Sequence, residues 1–342
     1  MRAMMLEGIH DLLREPEPLV LREVPVPEPG PGELLLRVLA CGVCHTELDE
    51  IEGRTPPPAY PVIPGHEVVG LVEAAGPGAD GSRTGQRVGV GWFFSSCGSC
   101  EYCREGNENL CSEFRATGRD ADGGYARYMK VPEGSAFPIP ETLDEVSAAP
   151  LLCAGAIGYR SLRLTGIRDG DPLGLTGFGG SAHLVLKMVR AMYPATEVFV
   201  FARDPGERDF AMELGAAWAG DTSDTSPVPL RAVIDTTPAW KPVVEAMRNL
   251  APKGRLVINA IRKEDTDRSR LLELDYAGHL WMEREIKSVA NVSPRDIREF
   301  LRVAGEEGLK PDTSRYSLEE ANRVLGELRR GGVRGAKVLV MD

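Results

Sequence analysis

Three separated pieces of the chain carry side chains that bind soft divalent metals. They are Cys44, the adjacent pair His66 and Glu67, and Cys153. Two thiolates and one imidazole form a Cys2His ligand set, which leaves the fourth position of a tetrahedral zinc ion open. An open position distinguishes a catalytic zinc from a structural one, because a substrate oxygen can then reach the metal. The sequence therefore predicts a catalytic zinc site assembled from distant segments.

A second group of cysteines lies within one short segment. Cys97, Cys100, Cys103 and Cys111 are separated by two, two and seven residues. Four thiolates on short loops can close tetrahedrally around zinc and leave no open position, which predicts a structural zinc. Disulfides and an iron–sulfur cluster remain alternatives on spacing alone. With the first group, this predicts two zinc ions per subunit.

A glycine-rich loop follows an apolar strand and precedes an apolar helix. It contains Gly177, Gly179, Gly180 and Ala182 in the pattern G-x-G-x-x-A. The first glycine allows a tight turn, the second lets the backbone approach a pyrophosphate, and the alanine lets the helix lie close to the strand. Because the loop stands between a strand and a helix, the pattern predicts a dinucleotide-binding site.

The end of the next strand indicates which dinucleotide is bound. Proteins that prefer NAD carry an acidic residue there to bind the ribose 2′-OH, but this chain has Ala202 followed by Arg203. An arginine forms charge-assisted hydrogen bonds with the 2′-phosphate of NADP. We therefore expect NADP(H) to be favoured over NAD(H). In the alternative, Arg203 is a solvated charge and Asp204 serves the ribose.

The elements that must position these groups differ along the chain. Residues up to about 150 contain short strands broken by Gly and Pro, with strand-like runs at 33–40, 66–76, 86–92 and 124–132. Farther along, apolar strands alternate with helices, which predicts βαβ units and a parallel sheet. The expected fold class is α/β, with a β-rich catalytic zinc domain at 1–153 and 291–342 and a doubly wound cofactor domain at 154–290.

Two local signals refine this picture. Thr142 and Glu145 have the spacing of a capping box, which predicts the start of a helix. The last strand-like run, 336–341, has no helix after it. We expect this strand to return to the first domain.

Composition limits the classes of partner. The chain has 342 residues, which suits two domains, and a formal net charge of -11. Nucleic acids and anionic membranes require a basic face, so we expect neither as a partner. We find no signal peptide and no apolar run long enough to span a membrane. Clustered cysteines with metal-ligand spacing favour a cytoplasmic location.

The motifs taken in order resemble a known family. They are GVCHTEL at 42–48, GHE at 65–67, the four-cysteine segment, Cys153 and GFGGSA at 177–182. Together they resemble the medium-chain, zinc-containing alcohol dehydrogenases over nearly the whole chain. The resemblance implies a GroES-like catalytic domain, a Rossmann cofactor domain, and hydride transfer between a primary aliphatic or aryl alcohol and NADP(H) or NAD(H). It also implies a homodimer or homotetramer.

Two alternatives remain open beside this interpretation. One is a polyol or threonine dehydrogenase of the same superfamily. The other is a cofactor-binding protein that has lost catalysis.

The resemblance implies roles for the residues around the first metal site. Cys44, His66 and Cys153 would be the zinc ligands, and Glu67 would lie beside the metal and bind it transiently during exchange of water or substrate. Cys41 precedes the first ligand by three residues, and we expect it to be a small packing residue. A redox pair with Cys44 is the alternative.

The resemblance also implies how substrate and cofactor are contacted. His45 would contact the cofactor pyrophosphate, Thr46 would accept a hydrogen bond from the alcohol, and Trp92 would line an aromatic substrate pocket that disfavours a polyol. Two positions depart from the family pattern. Asp49 replaces the histidine that ends the proton relay in many relatives, and Glu47 replaces the aspartate that orients the zinc-binding histidine.

Overall fold

The computed structural model describes residues 1–331 and 335–341. The chain forms two compact units. Unit 1 comprises Met1–Ala156 and Val292–Asp342, and unit 2 comprises Ile157–Asn291. The first division falls a few residues after Cys153, so the side chains of both predicted metal groups belong to unit 1.

Strands predominate in unit 1 and alternate with helices in unit 2. In chain order the strands are β1 (Arg2–Leu6), β2 (Leu19–Glu23), β3 (Glu33–Val43), β4 (Glu67–Ala75), β5 (Arg87–Val90), β6 (Phe93–Ser95), β7 (Arg115–Ala116), β8 (Tyr128–Pro132), β9 (Phe137–Pro138), β10 (Leu173–Thr176), β11 (Val198–Phe201), β12 (Trp218–Gly220), β13 (Leu230–Asp235), β14 (Leu250–Ile258), β15 (Glu285–Ser288), β16 (Thr313–Ser317) and β17 (Ala336–Val340).

The α-helices connect these strands and close the chain. They are α1 (His45–Ile51), α2 (Glu101–Arg104), α3 (Glu145–Ala148), α4 (Ala154–Thr165), α5 (Gly180–Met192), α6 (Pro205–Glu213), α7 (Lys241–Arg248), α8 (Pro294–Glu307) and α9 (Ala321–Arg330). The boundary between the units falls inside α4. Within the described ranges, no helix is long and apolar enough to cross a membrane.

Unit 1 is built on a seven-stranded sheet. Its order is β16-β17-β3-β4-β5-β9, with β8 also paired to β3. The pairing of β17 with β3 is antiparallel and joins Val338 to Gly42, which confirms that the last strand returns to the first domain. Buried residues of β3, β4 and β8 form one apolar cluster that includes Leu36, Val68 and Met129. This core fixes the end of β3, where the first predicted zinc ligand follows.

Unit 2 contains a six-stranded, fully parallel sheet. Its order is β12-β11-β10-β13-β14-β15, which is the 3-2-1-4-5-6 order of the doubly wound dinucleotide-binding fold. Every residue of β10 and β11 is buried, as expected for strands covered on both faces. The predicted α/β class, with a β-rich domain and a parallel-sheet domain, is confirmed.

One strand of unit 2 was not predicted. Strand β12 has three residues, too few to show a period of two, and the sequence after it is polar. It forms because it pairs with β11 and because the ring of Trp218 packs edge-on against Phe201, with centroids 5.1 Å apart. Tertiary contact therefore decides this strand.

The predicted capping box at Thr142 and Glu145 is wrong. Helix α3 begins at Glu145, and its N-cap is Asp144. The Asp144 carboxylate accepts hydrogen bonds from the backbone N–H of Val146, at 3.1 Å, and of Ser147, at 2.8 Å. Aspartate is a strong N-cap because its short side chain reaches these free N–H groups. It therefore replaces the threonine two residues earlier.

Candidate metal centres and cofactor loop

The turn from β3 into α1 presents the first predicted ligand. Cys44 is the N-cap of α1 and has an extended backbone. Its N–H donates to Oε2 of Glu47 at 2.8 Å, which closes the turn in the manner of a capping box. The hydroxyl of Thr46 lies 3.7 Å from the Cys44 sulfur. The strand end and the helix start therefore place a thiol and a hydroxyl side by side.

The pairing of β3 with β4 places the second segment. Gly42 of β3 is paired with Glu67 of β4. A Cβ atom at Gly42 would lie 1.8 Å from Oε2 of Glu67, so only glycine leaves room for this carboxylate. His66 stands immediately before β4 and is buried. The register of the sheet thus brings His66 and Glu67 to the end of β3 that carries Cys44.

The predicted catalytic ligands come together in unit 1. One ligand atom from each of Cys44, His66, Glu67 and Cys153 lies within 4.8 Å of all the others, and the two sulfurs are 3.8 Å apart. Nδ1 of His66 is 2.5 Å from Oε1 of Glu47, whereas Nε2 of His66 is buried and has no protein partner. One free imidazole nitrogen beside two thiols fits zinc, and a carboxylate on the other nitrogen is the usual way to orient such a ligand.

The charges around this group are strongly coupled. A hydrogen bond from Cys153 lowers the pKa of Cys44 well below its usual range, and His66 adds to that effect. Burial raises the pKa of Glu67 well above its usual range, and the charge of Cys44 raises it further. Negative charges on these neighbouring groups therefore disfavour one another in this buried place. A divalent cation bound there would be stabilised by these charges.

Other predicted residues of this region have defined surroundings. Cys41 is fully buried in the core of unit 1, and burial raises its pKa well above the usual range, which agrees with a packing role. His45 is exposed at the first position of α1. Asp49 is buried and accepts a hydrogen bond from Nε of Arg54. The predicted outer proton acceptor is therefore paired with a guanidinium.

Sequence reasoning missed a further acidic residue beside Trp92. The indole Nε1 of Trp92, which is half-buried, lies 3.4 Å from Oε1 of Glu50. Glu50 is only 1% exposed. Glu50 follows Thr46 by one helical turn, so the two share a face of α1. That spacing of four was the only signal in the sequence.

The four-cysteine segment forms a second centre in unit 1. One sulfur from each cysteine lies within 4.8 Å of the others. Cys97 is 3.9 Å from Cys103 and 3.5 Å from Cys111, and Cys100 is 3.5 Å from Cys103. Backbone N–H groups of Ser99 and Cys100 lower the pKa of Cys97 to about 6. The four sulfurs are close enough to coordinate a single zinc ion, and one of them readily forms a thiolate. This arrangement fits a structural zinc.

The glycine-rich loop lies between β10 and α5 in unit 2. Gly177 has a φ of +72°, and a Cβ there would meet the side chain of Thr237 at 2.8 Å, so glycine is required. Around Gly179 and Gly180 a Cβ would meet nothing within 4 Å, which leaves open space at the start of α5. Ala182 is fully buried where the helix packs. This geometry suits a pyrophosphate at a helix N-terminus.

The residues after β11 differ in how free they are to bind a cofactor. Arg203 is exposed. Oδ1 of Asp204 accepts hydrogen bonds from the N–H groups of Gly206, at 2.7 Å, and Glu207, at 3.2 Å, and so caps α6. The alternative in which Asp204 serves the ribose must compete with this cap, whereas Arg203 needs no rearrangement.

Comparisons with known proteins bear on both units. The alcohol dehydrogenase GroES-like domain family matches residues 30–141. A protein of Mycobacterium tuberculosis named probable alcohol dehydrogenase AdhA is 44% identical over 321 residues, which cover 92% of this chain and 91% of the relative.

Two solved structures extend the comparison to the whole fold. A cinnamyl alcohol dehydrogenase from Sorghum bicolor has a TM-score of 0.83 at 28% identity, over 98% of this chain and 97% of its own. A protein from Sinorhizobium meliloti 1021, provisionally assigned as a zinc-binding dehydrogenase and solved with bound NADP, has a TM-score of 0.86 at 29% identity, over 99% and 98%.

Proposed function

The chain belongs to the zinc-containing medium-chain alcohol dehydrogenase family, and from this premise we propose that it interconverts primary aliphatic or aryl alcohols and their aldehydes with NADP(H). The observation that carries the proposal is the grouping of Cys44, His66, Cys153 and Glu67 within 4.8 Å. Nε2 of His66 is buried without a partner by hydrogen-bond geometry, so it is available to bind a metal.

Unit 1 carries the residues proposed to bind the metal, to orient the substrate and to accept its proton. A zinc ion held by Cys44, His66 and Cys153 would supply a Lewis acid at the substrate oxygen, and a bound nicotinamide would accept or return the hydride. Thr46, 3.7 Å from the Cys44 sulfur, accepts a hydrogen bond from the substrate hydroxyl and so orients it. Asp49, held by Arg54, is the proposed acceptor at the end of the proton path.

The residues of unit 2 support the cofactor. Gly177, Gly179 and Gly180 allow the pyrophosphate to approach the start of α5. Arg203 is proposed to bind the 2′-phosphate through charge-assisted hydrogen bonds. The engagement of Asp204 as a helix cap supports NADP over NAD.

The aromatic surroundings of Trp92 support the substrate class. Its ring packs against that of Phe114, with centroids 5.4 Å apart. The related structure from Sorghum bicolor is a cinnamyl alcohol dehydrogenase, which acts as a precedent for aryl substrates on this fold. We therefore propose benzyl- and cinnamyl-type alcohols beside short aliphatic ones.

A steady-state screen tests the activity. Ethanol, benzyl alcohol, cinnamaldehyde, sorbitol and threonine are compared, each with NADP(H) and NAD(H). We expect turnover of the first three and a higher kcat/KM with NADP(H). Preference for sorbitol or threonine would favour the polyol or threonine dehydrogenase alternative, and an equal or higher kcat/KM with NAD(H) would overturn the cofactor assignment.

The variant Cys44→Ala tests the metal site. We expect loss of turnover and of one zinc per subunit, with the zinc of the four-cysteine centre retained. Cys41→Ala is the matched control, because it removes a nearby buried thiol that is not in the ligand group. Full activity in Cys44→Ala would refute the site. Two zinc ions with no activity on a broad panel would favour the non-catalytic alternative.

We also propose that the subunits associate through β15. This strand is at the edge of the parallel sheet, and all four of its residues are exposed. Large apolar side chains in the segment that precedes β15 are also exposed, among them Leu272, Tyr276 and Trp281. Ile286→Lys should lower the mass of the oligomer in light scattering, and an unchanged mass would exclude this interface.

The free cysteines at metal-ligand spacing support a cytoplasmic location.

A further inference from the structure

Glu50 is a buried carboxyl group with half of its hydrogen-bonding capacity unused. Its Oε1 is near the indole N–H of Trp92, at 3.4 Å, but its Oε2 is buried without a partner. Nothing in the catalytic proposal above uses this residue. A buried polar oxygen without a partner is costly, so it requires an explanation such as a bound ligand, an ion, water or local strain.

A second unpartnered oxygen with complementary chemistry lies within electrostatic reach of Glu50. The hydroxyl of Tyr60 is buried and has no partner. Burial raises the pKa of Tyr60, and the charge of Glu50 raises it further. The phenol supplies a donor, and the carbonyl oxygen of the Glu50 carboxyl group supplies an acceptor even when that group is protonated. A hydroxyl group satisfies both at once because it both accepts and donates, whereas an ammonium group can only donate.

Glu50 belongs to the same surface of α1 as the proposed reaction centre. It follows Thr46 by four residues, and such residues are about 5–6 Å apart between Cβ atoms on one helix face. Thr46 in turn lies 3.7 Å from the Cys44 sulfur. Burial raises the pKa of Glu50 well above its usual range, and the charges of Glu47 and Cys44 raise it further. A short substrate bound at Thr46 would therefore extend toward Glu50.

We propose that Glu50 and Tyr60 bind a second hydroxyl group of the substrate, so that a diol with three or four carbons between its hydroxyls is preferred over the matching simple alcohol. This inference rests on the proposed alcohol dehydrogenase activity and narrows its substrate class. It differs from a polyol preference, because the wall that includes Trp92 and Phe114 leaves the middle of the substrate apolar.

The test compares kcat/KM for 1,4-butanediol and 1-butanol, and for 1,3-propanediol and 1-propanol, on the purified full chain. A site built around a hydrogen-bonded hydroxyl rejects the analogue that lacks it, and we expect a diol preference of at least about tenfold. Glu50→Leu should bring the ratio close to one. Tyr60→Phe should lower it roughly fivefold, as expected for one hydrogen bond.

Matched exposed positions provide the controls. Glu28→Leu and Tyr102→Phe make the same chemical changes at exposed residues, and they should keep the wild-type ratio. Zinc content and thermal midpoint of each variant report whether it folds. If Glu50→Leu fails to fold, the Tyr60→Phe variant and the diol-to-alcohol ratio of the wild-type protein still test the proposed diol site.

The outcomes separate this inference from the function on which it rests. If wild-type protein oxidises no alcohol, the proposed function fails. If it oxidises butanol and butanediol equally well, only the diol inference fails, and Glu50 and Tyr60 are then the walls of a buried water site. An amino alcohol preferred over the diol, or a diol preference that survives in Glu50→Leu, would also overturn it.

Discussion

Oε1 of Glu47 lies 2.5 Å from Nδ1 of His66, and both side chains are buried. The other oxygen of the same carboxylate accepts the backbone N–H of Cys44 at 2.8 Å. One side chain therefore orients an imidazole and holds the turn that carries a thiol. The resemblance led us to expect an aspartate here, and the additional methylene of Glu47 is accommodated within this bridge.

Glu47→Gln should selectively weaken binding of the zinc ion that we propose at Cys44, His66 and Cys153. The amide is neutral, so it orients the His66 ring less firmly and no longer raises the basicity of the imidazole. Loss of such a partner typically lowers metal affinity about 10–100-fold. Competition with a chromogenic chelator measures this, with Glu101→Gln at an exposed position as control. Wild-type affinity in Glu47→Gln would show that the bridge is structural only.

Cys103→Ser should release the zinc ion that we propose for the four-cysteine centre. The Cys103 sulfur lies 3.9 Å from that of Cys97 and 3.5 Å from that of Cys100, so replacing it with a hydroxyl disrupts the tetrahedral ligand set. We expect one zinc per subunit and a lower thermal midpoint. Ser99→Ala is the control, since Ser99 contacts Cys97 without belonging to the metal group. Two zinc ions in Cys103→Ser would contradict the assignment.

Arg203→Ala should reverse or abolish the preference for NADP(H). A charge-assisted hydrogen bond contributes about 1.5–3 kcal/mol, so the ratio of kcat/KM with NADPH to that with NADH should fall about tenfold or more. The exposed Arg268, changed to alanine, controls for loss of one positive charge from unit 2. An unchanged ratio of the two kcat/KM values in Arg203→Ala would show that Arg203 does not bind the 2′-phosphate.

Lys263→Met should destabilise unit 2. Asp235 is fully buried, pairs with Lys263 and accepts a 2.5 Å hydrogen bond from Thr176, which directly precedes Gly177. Without the lysine, the buried Asp235 carboxylate has no counter-charge, which should lower the free energy of unfolding by about 3–5 kcal/mol. Urea unfolding followed by circular dichroism measures the loss.

The double variant Asp235→Asn, Lys263→Met is the control for this prediction. The amide is neutral and can still accept from Thr176, so the double variant should be more stable than Lys263→Met alone. Equal stability of the two would show that the buried charge is not the cause.

The sequence by itself determined the chemistry of the two cysteine groups and of the glycine loop. Cys, His and Gly residues indicate which kind of ligand a site can bind. Residues that are only two or three positions apart stay close together in space in any fold. The parallel sheet was also predictable, because strands and helices alternate with a regular period. The four-cysteine segment, the glycine loop and the alternation of elements depend on neighbours along the chain, whereas Cys44, His66 and Cys153 were grouped by the family resemblance.

The tertiary structure decided which groups surround those ligands. Glu47 meets His66 across 19 residues, and Glu50 meets Trp92 across 42. Such contacts follow from the pairing of β3 with β4 and from the packing of α1, neither of which is encoded in local spacing. The same holds for Gly42, whose missing side chain admits Glu67 only because the register places the two opposite each other.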